Sequence, residues 1–120
     1  MNLIIDQGNT LFKVALFNDN ELISKCRFAY SDVNLFYEWL EEKKLKKINI
    51  IVSSVVNQVI ELSNLSINRV IYLDENTVLP IVNGYNTPKT LGDDRIANAV
   101  AANSLNPNQN SLTIDFGTCI

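Results

Sequence analysis

The chain has no histidine among its 120 residues. That absence removes imidazole from every role it commonly fills, so a Ser-His-Asp arrangement is out and proton transfer near neutral pH falls to a carboxylate. Cysteine is scarce: Cys26 and Cys119 stand alone, at no metal-ligand spacing and beside no activating base. They argue against a zinc site and read as small apolar fillers. No apolar run approaches the ~20 residues that a bilayer-spanning helix needs. The opening Met1-Asn2-Leu3-Ile4-Ile5-Asp6 reaches an acid with no basic leader, so neither a signal peptide nor a membrane segment is expected. Positive charge is in deficit as well: the net charge of −3 speaks against a surface built to grip nucleic-acid phosphates. A reduced, cytoplasmic setting is the expectation.

What is present is the composition of a globular domain, with 47% hydrophobic and 19% charged residues, enough to bury one core. Residues 3–5 and 12–17 read as strands, and Asn18-Asp19-Asn20 supplies the chemistry of a hairpin bend leading to a returning strand over 22–28. Ser31-Asp32 is a plausible N-cap for a helix carrying Leu35, Phe36, Trp39 and Leu40. The lysines at 43, 44, 46 and 47 suit that helix's C-terminal end. The β-branched run 48–52 predicts a strand buried on both faces, 57–62 a short helix, and 70–73 another buried strand. Pro80 reduces 77–82 to an edge piece at best, and 84–92 is a loop. A helix runs from Asp93 to about Leu105, with Ile96, Ala97, Val100 and Ala101 on one stripe, and Asn106-Pro107-Asn108 stops it. A last strand is expected over 112–114. Strands first, then alternating helices and strands, imply an α/β fold: a mixed five-stranded sheet flanked by helices, as in an RNase H-like domain.

Two stretches echo each other. Leu3-Ile4-Ile5-Asp6-Gln7-Gly8-Asn9-Thr10 and Leu112-Thr113-Ile114-Asp115-Phe116-Gly117-Thr118 are each an apolar strand ending in Asp-x-Gly, with a threonine just beyond. The expected division is therefore 1–110 as one RNase H-like domain and 111–120 as the first strand of a second, related one. A glycine turn after a buried strand lets backbone N–H groups approach an anion, while Asn9, Thr10 and Lys13 add side-chain donors. Two such loops facing across a cleft can hold the β- and γ-phosphates of a nucleotide. Each turn read alone serves equally as a plain hairpin bend. Gly92-Asp93-Asp94-Arg95 opens the later helix. Its acids suit the dipole without further purpose, but Arg95 opposes it, and a guanidinium there is reasonable when it must grip a carboxylate or phosphate. One of the acids can then accept a proton from a substrate hydroxyl. Tyr85 lines a small pocket or packs on the surface.

Taken in order, Asp6-Gln7-Gly8-Asn9-Thr10 with Lys13, Tyr85 with Gly92-Asp93-Asp94-Arg95, and Asp115-Phe116-Gly117-Thr118 resemble three motifs of type III pantothenate kinases, members of the acetate and sugar kinase/Hsp70/actin superfamily. The resemblance runs through the whole chain. It implies an actin-like ATPase fold and ATP-dependent phosphorylation of pantothenate to 4′-phosphopantothenate, the first step of coenzyme A biosynthesis. By the same resemblance Asp6, Gln7, Gly8, Asn9, Thr10, Leu11, Phe12 and Lys13 would cradle the ATP phosphates, with Thr118 also touching ATP. Tyr85, Gly92, Asp93, Asp94 and Arg95 would contact pantothenate, and Asp94 would be the catalytic proton acceptor. Asp115 would ligate a monovalent cation, K+ or NH4+, with Mg2+ accompanying the nucleotide. A cytoplasmic homodimer with neither nucleic-acid nor membrane partner is implied. Family chains are about twice as long, so this polypeptide alone is expected to be inactive. Two rivals use the same residues: an RNase H-fold nuclease with Asp6, Asp94 and Asp115 as metal ligands, and a non-catalytic actin-like nucleotide-binding or regulatory protein.

Overall fold

In the computed structural model, which describes residues 1–57, 60–63 and 65–115, the side-chain alternation of the first strand sets the architecture. β1 (Asn2–Gln7) buries Leu3, Ile5 and Gln7 and turns Asn2, Ile4 and Asp6 to the opposite face, as a strand with one covered side must. β2 (Leu11–Asn18) repeats the pattern with Phe12, Val14 and Leu16 buried, and β3 (Glu21–Ala29) completes an antiparallel meander. Asp19 turns the β2–β3 bend with φ of 49°, a left-handed conformation that aspartate tolerates better than most residues. β4 (Ile48–Ser54) pairs parallel with β1, and β5 (Ile67–Tyr72) parallel with β4. The strand order is β3-β2-β1-β4-β5, a mixed five-stranded sheet of an α/β fold.

α1 (Val33–Glu42) crosses from β3 to β4 and buries Phe36, Trp39 and Leu40 in the same core as Leu3, Phe12, Ile48 and Ile50. The rings of Phe12, Phe28 and Phe36 form a triangle with centroids 5.5, 5.3 and 5.7 Å apart. Each such pair adds about 0.5–1.5 kcal/mol beyond the area it buries. At the amino ends of the strands, Asn49 Nδ2 donates to Asn2 Oδ1 (3.0 Å) and Asn68 Nδ2 to Asn49 Oδ1 (2.8 Å), an amide ladder across β1 and β4 to Asn68 of β5. The carboxyl ends of β1 and β4 are thus left for the loops.

The chain divides into two compact units, Met1–Leu73 and Asp74–Ile120. Within the second, a 3-10 turn at Pro88–Thr90 leads to α2 (Asp93–Leu105), with Gly92 as N-cap and Asn106 as C-cap. The bounds match the sequence expectation.

Several expectations need correction. β4 is covered on one face only, because Ile48, Ile50 and Val52 are buried while Asn49 is exposed. β5 has no fully buried residue: it is the edge strand, and Val70 and Tyr72 are exposed. No helix occurs among the described residues of 57–62; positions 58 and 59 lie outside them. Residues 77–82 form no strand, and Val78 and Val82 are 95% exposed. Residues 112–114 join no strand either, since no described segment offers them a ladder. The lysines do gather at the C-terminal end of α1, but just past its last turn: Lys43 is the C-cap, and Lys44 and Lys47 take φ of 48° and 51°. Lys43 Nζ instead sits 5.6 Å over the Trp39 ring, a cation–π contact. Asp32 holds the expected N-cap position without a side-chain capping bond.

Candidate active site

The first candidate stretch is the β1–β2 hairpin. Asp6 and Lys13 are register partners, and their side chains meet on the face opposite α1, Lys13 Nζ lying 3.6 Å from Asp6 Oδ2. The pair is solvent-exposed, so it holds geometry more than it stabilises; such pairs contribute about 0–1 kcal/mol. Gln7 and Phe12 face the other way. Gln7 is 3% exposed, and Phe12 is 0% exposed at one corner of the aromatic triangle. These two anchor the loop from below. Only Gly8, Asn9 and Thr10 leave the ladder, with Leu11 already in β2.

Gly8 is not required by its backbone angle, because no glycine here has positive φ among the described residues. Its reason is space: a Cβ would lie 3.1 Å from the Leu11 carbonyl oxygen. The Gly8 N–H donates to that same carbonyl (3.1 Å), and the Gly8 carbonyl accepts from the Tyr30 hydroxyl (2.8 Å). The Gly8 amide is therefore committed to closing the turn. Asn9 and Thr10 are exposed, and among the described residues no hydrogen bond engages their amides or side chains. They are the donors available to an anion. A shallow hollow of about 510 Å3 opens on the Asp6 face of β1, β2 and β3, its lining including Ile4, Asp6, Lys13, Ala15, Lys25 and Arg27 but neither Asn9 nor Thr10.

The carboxyl end of β4 adjoins this hairpin. Ser53 pairs with Asp6 and Ser54 with Gln7, while Val55 N–H donates to the Gln7 carbonyl (3.0 Å). The Ser54 hydroxyl donates to the Val56 carbonyl (2.8 Å) and accepts from the Val56 N–H (3.2 Å), bending the chain away. In sequence Ser53-Ser54 marks only a strand end, and nothing around Tyr30 points to a role. A hydroxyl bond spanning 22 residues leaves no local pattern to read.

The second candidate stretch belongs to the other unit. Tyr85 is half-exposed, and its N–H is held by Asn83 Oδ1 (3.1 Å). The Thr87 and Thr90 hydroxyls share a 2.6 Å hydrogen bond across the turn before α2. Gly92 then caps α2, accepting at its carbonyl from the N–H groups of Arg95 (3.0 Å) and Ile96 (3.2 Å). Asp94 Oδ1 also accepts from the Arg95 N–H (2.8 Å), which fixes the carboxylate over the positive end of the helix. Its Oδ2 has no partner among the described residues. Gly92 makes room for this arrangement, since a Cβ there would stand 2.5 Å from Asp94 Oδ1. Burial first, then the charges of Asp94, Asp74 and Glu75, hold the Asp93 carboxyl above its ordinary value. Asp93 and Asp94 therefore differ in setting, one partly buried and one presented to solvent.

Asp115 is exposed, and Gly117, Thr118 and Cys119 lie outside the described residues. Among the described residues no three His, Cys, Asp or Glu side chains gather into a metal site. The single carboxylate of Asp115 is the hard oxygen donor that an alkali cation accepts.

Comparison with known proteins accounts for the order of these motifs. The family profile described as type III pantothenate kinase matches residues 2–120. A protein named type III pantothenate kinase from Christiangramia forsetii is 42% identical over all of this chain and 50% of its own length. Proteins of the same name from Bacteroides fragilis and Phocaeicola vulgatus are 41% and 38% identical, again over all of this chain and 50% of theirs. The chain spans about half the length of the curated relatives it matches. With the profile covering the hairpin, the α2 start and the final Asp-x-Gly alike, this chain belongs to the type III pantothenate kinase family.

Proposed function

We propose that the protein, at the full length of its relatives, transfers the γ-phosphoryl group of ATP to the 4′-hydroxyl of pantothenate, the entry step to coenzyme A. The relatives' shared name supports the reaction, and the observation that carries it in this chain is the Asp94 carboxylate. One of its oxygens is fixed by the Arg95 amide and the other is left to accept a proton. As the substrate oxygen forms its bond to the γ-phosphorus, Asp94 takes the hydroxyl proton. The bond from the γ-phosphorus to the bridging oxygen breaks, and ADP departs. The Arg95 guanidinium and Tyr85 hold pantothenate, whose carboxylate suits a planar fork. Asn9, Thr10, their amides and Lys13 hold the phosphates, and Asp6 keeps Lys13 in place. Thr118 belongs to the same nucleotide contact. Asp115 is the residue that would hold K+ or NH4+, and such a cation, with nucleotide-borne Mg2+, offsets charge gathering on the phosphates.

The strand order β3-β2-β1-β4-β5, with β1 antiparallel to β2 and parallel to β4, supports an RNase H-like domain of the actin-like group. On this reading residues 1–110 form that domain and 111–120 begin a second. We place the full-length protein in the cytoplasm as a homodimer without nucleic-acid or membrane partners. The negative charge speaks against a nucleic-acid partner, and among the described residues no helix is long and apolar enough to cross a bilayer. The phosphoryl acceptor is tested with Asp94→Asn in the full-length protein. Pantothenate phosphorylation should fall about 10²–10⁴-fold, the usual contribution of a general base, with ATP binding by calorimetry unchanged. A full-length wild type that binds ATP and never phosphorylates pantothenate refutes the kinase reading in favour of a regulatory actin-like protein.

A further inference from the structure

We infer that Tyr30 is a positioning residue for the phosphate loop, its phenol aiming the Asn9 amide outward by holding the Gly8 carbonyl. The inference rests on the assignment of residues 6–13 to the ATP phosphates. The Tyr30 hydroxyl donates to the Gly8 carbonyl oxygen at 2.8 Å, a partly buried bond between the junction after β3 and the turn after β1. The phenol is delivered from a rigid place. Its ring centroid lies 5.5 Å from that of Phe12, which is itself fully buried and stacked on Phe28.

The consequence follows from the planarity of the peptide. The Gly8 carbonyl and the Asn9 N–H belong to one trans peptide unit, so they point in opposite directions. A donor that holds the carbonyl on the Tyr30 side therefore turns the Asn9 N–H to the opposite side. There no protein group among the described residues receives it. The preceding peptide is fixed too, because the Gly8 N–H is bonded to the Leu11 carbonyl at 3.1 Å. With both main-chain groups of Gly8 engaged, the turn is organised before a ligand arrives, and hydrogen bonding at the carbonyl polarises the amide that shares its plane. Without the phenol, the Gly8–Asn9 peptide is free to rotate and the amide must be aimed at the cost of binding.

Tyr30→Phe in the full-length protein keeps the ring and removes only the donor. One lost neutral hydrogen bond corresponds to about a fivefold change in an equilibrium. The KM for ATP should thus rise about fivefold while the KM for pantothenate stays within about twofold. Hydrogen exchange at the Gly8 amide should quicken by a similar factor, and AMP, which lacks the outer phosphates, should bind unchanged. A merely structural tyrosine would lower the unfolding temperature and move neither the ATP-to-pantothenate contrast nor the ATP-to-AMP contrast. Thr10→Ala is the companion variant. If it raises the KM for ATP while Tyr30→Phe does not, the positioning role is wrong and the phosphate loop stands. If neither variant moves the KM for ATP in an active kinase, the loop assignment fails and the inference with it.

Discussion

Gly92→Ala is the substitution in which this structure separates stability from catalysis most cleanly. The backbone at Gly92, with φ −60° and ψ 143°, is open to any residue, so alanine introduces no strain there and reduces the freedom of the unfolded chain by roughly 0.4–1 kcal/mol. Against that, its Cβ would stand 2.5 Å from Asp94 Oδ1, where ordinary contact begins at 3.4 Å. The obstacle is the end of a flexible side chain, so the carboxylate yields by about 0.9 Å and leaves the Arg95 amide. The lost interaction at an exposed helix start is worth about 0.3–1 kcal/mol, close to the entropic gain. The unfolding temperature of the full-length protein should therefore shift by no more than about 2–4 °C, the response to roughly 1 kcal/mol in a domain of this class. The rate should respond differently. A base displaced by nearly 1 Å from its working position costs on the order of 10²-fold in kcat/KM. The assay is coupled ADP release with pantothenate as variable substrate, beside a thermal melt of the same preparation. Full activity in Gly92→Ala would show that Asp94 need not occupy the place this helix start gives it, and the mechanism would have to find another proton acceptor.

Two further outcomes follow from the packing and the charges. Phe36→Ala removes a fully buried ring that contacts Phe12, Phe28, Tyr37 and Trp39; it should lower unfolding free energy by about 3–5 kcal/mol in a denaturant titration. A loss below about 1 kcal/mol would mean that α1 does not pack as described. Asp93 has its folded pKa raised above the ordinary 3.8 by burial and by neighbouring acids. Its favourable contribution is complete below that ordinary value and is lost as pH rises through the folded one, because the native state holds the proton more tightly in between. Asp93→Asn should flatten that part of the profile of melting temperature against pH and raise the melting temperature at pH 7. An unchanged profile would show that Asp93 is as well hydrated folded as unfolded.

The legible parts of this fold are those in which neighbours in sequence decide the outcome. The β1–β2–β3 meander was readable because alternation and an Asn-Asp-Asn bend are local signals. α2 was readable to the residue because Gly92 and Asn106-Pro107 punctuate it. Burial was harder. A run such as Ile48-Asn49-Ile50-Ile51-Val52 looks apolar throughout, yet which face is covered depends on α1, which lies on one side of the sheet. Val70 and Tyr72 look like core residues but ended on the edge strand, a position set by strand order rather than by composition. For the candidate site, the residues at 6–13 and 92–95 were visible as motifs, and the reasons behind their glycines were not. Gly8 was expected to serve backbone approach by an anion. Its own amide closes the turn and its missing Cβ spares the Leu11 carbonyl, which leaves the Asn9 and Thr10 amides for such an approach. Tyr30 leaves no trace in sequence, because its hydroxyl reaches Gly8 across 22 residues.

The central strand also has a history implied by its two borders. Asn2 faces Phe17 on one side and Asn49 on the other, so the first border is closed by a short excursion of the polypeptide and the second by one about three times as long. By chain-closure entropy the longer excursion is dearer by about 1 kcal/mol. During folding the hairpin ribbon therefore assembles as the seed, and β4 is recruited onto an edge already waiting for it. The Gly8-Asn9-Thr10 turn is thus among the earliest structure the chain acquires.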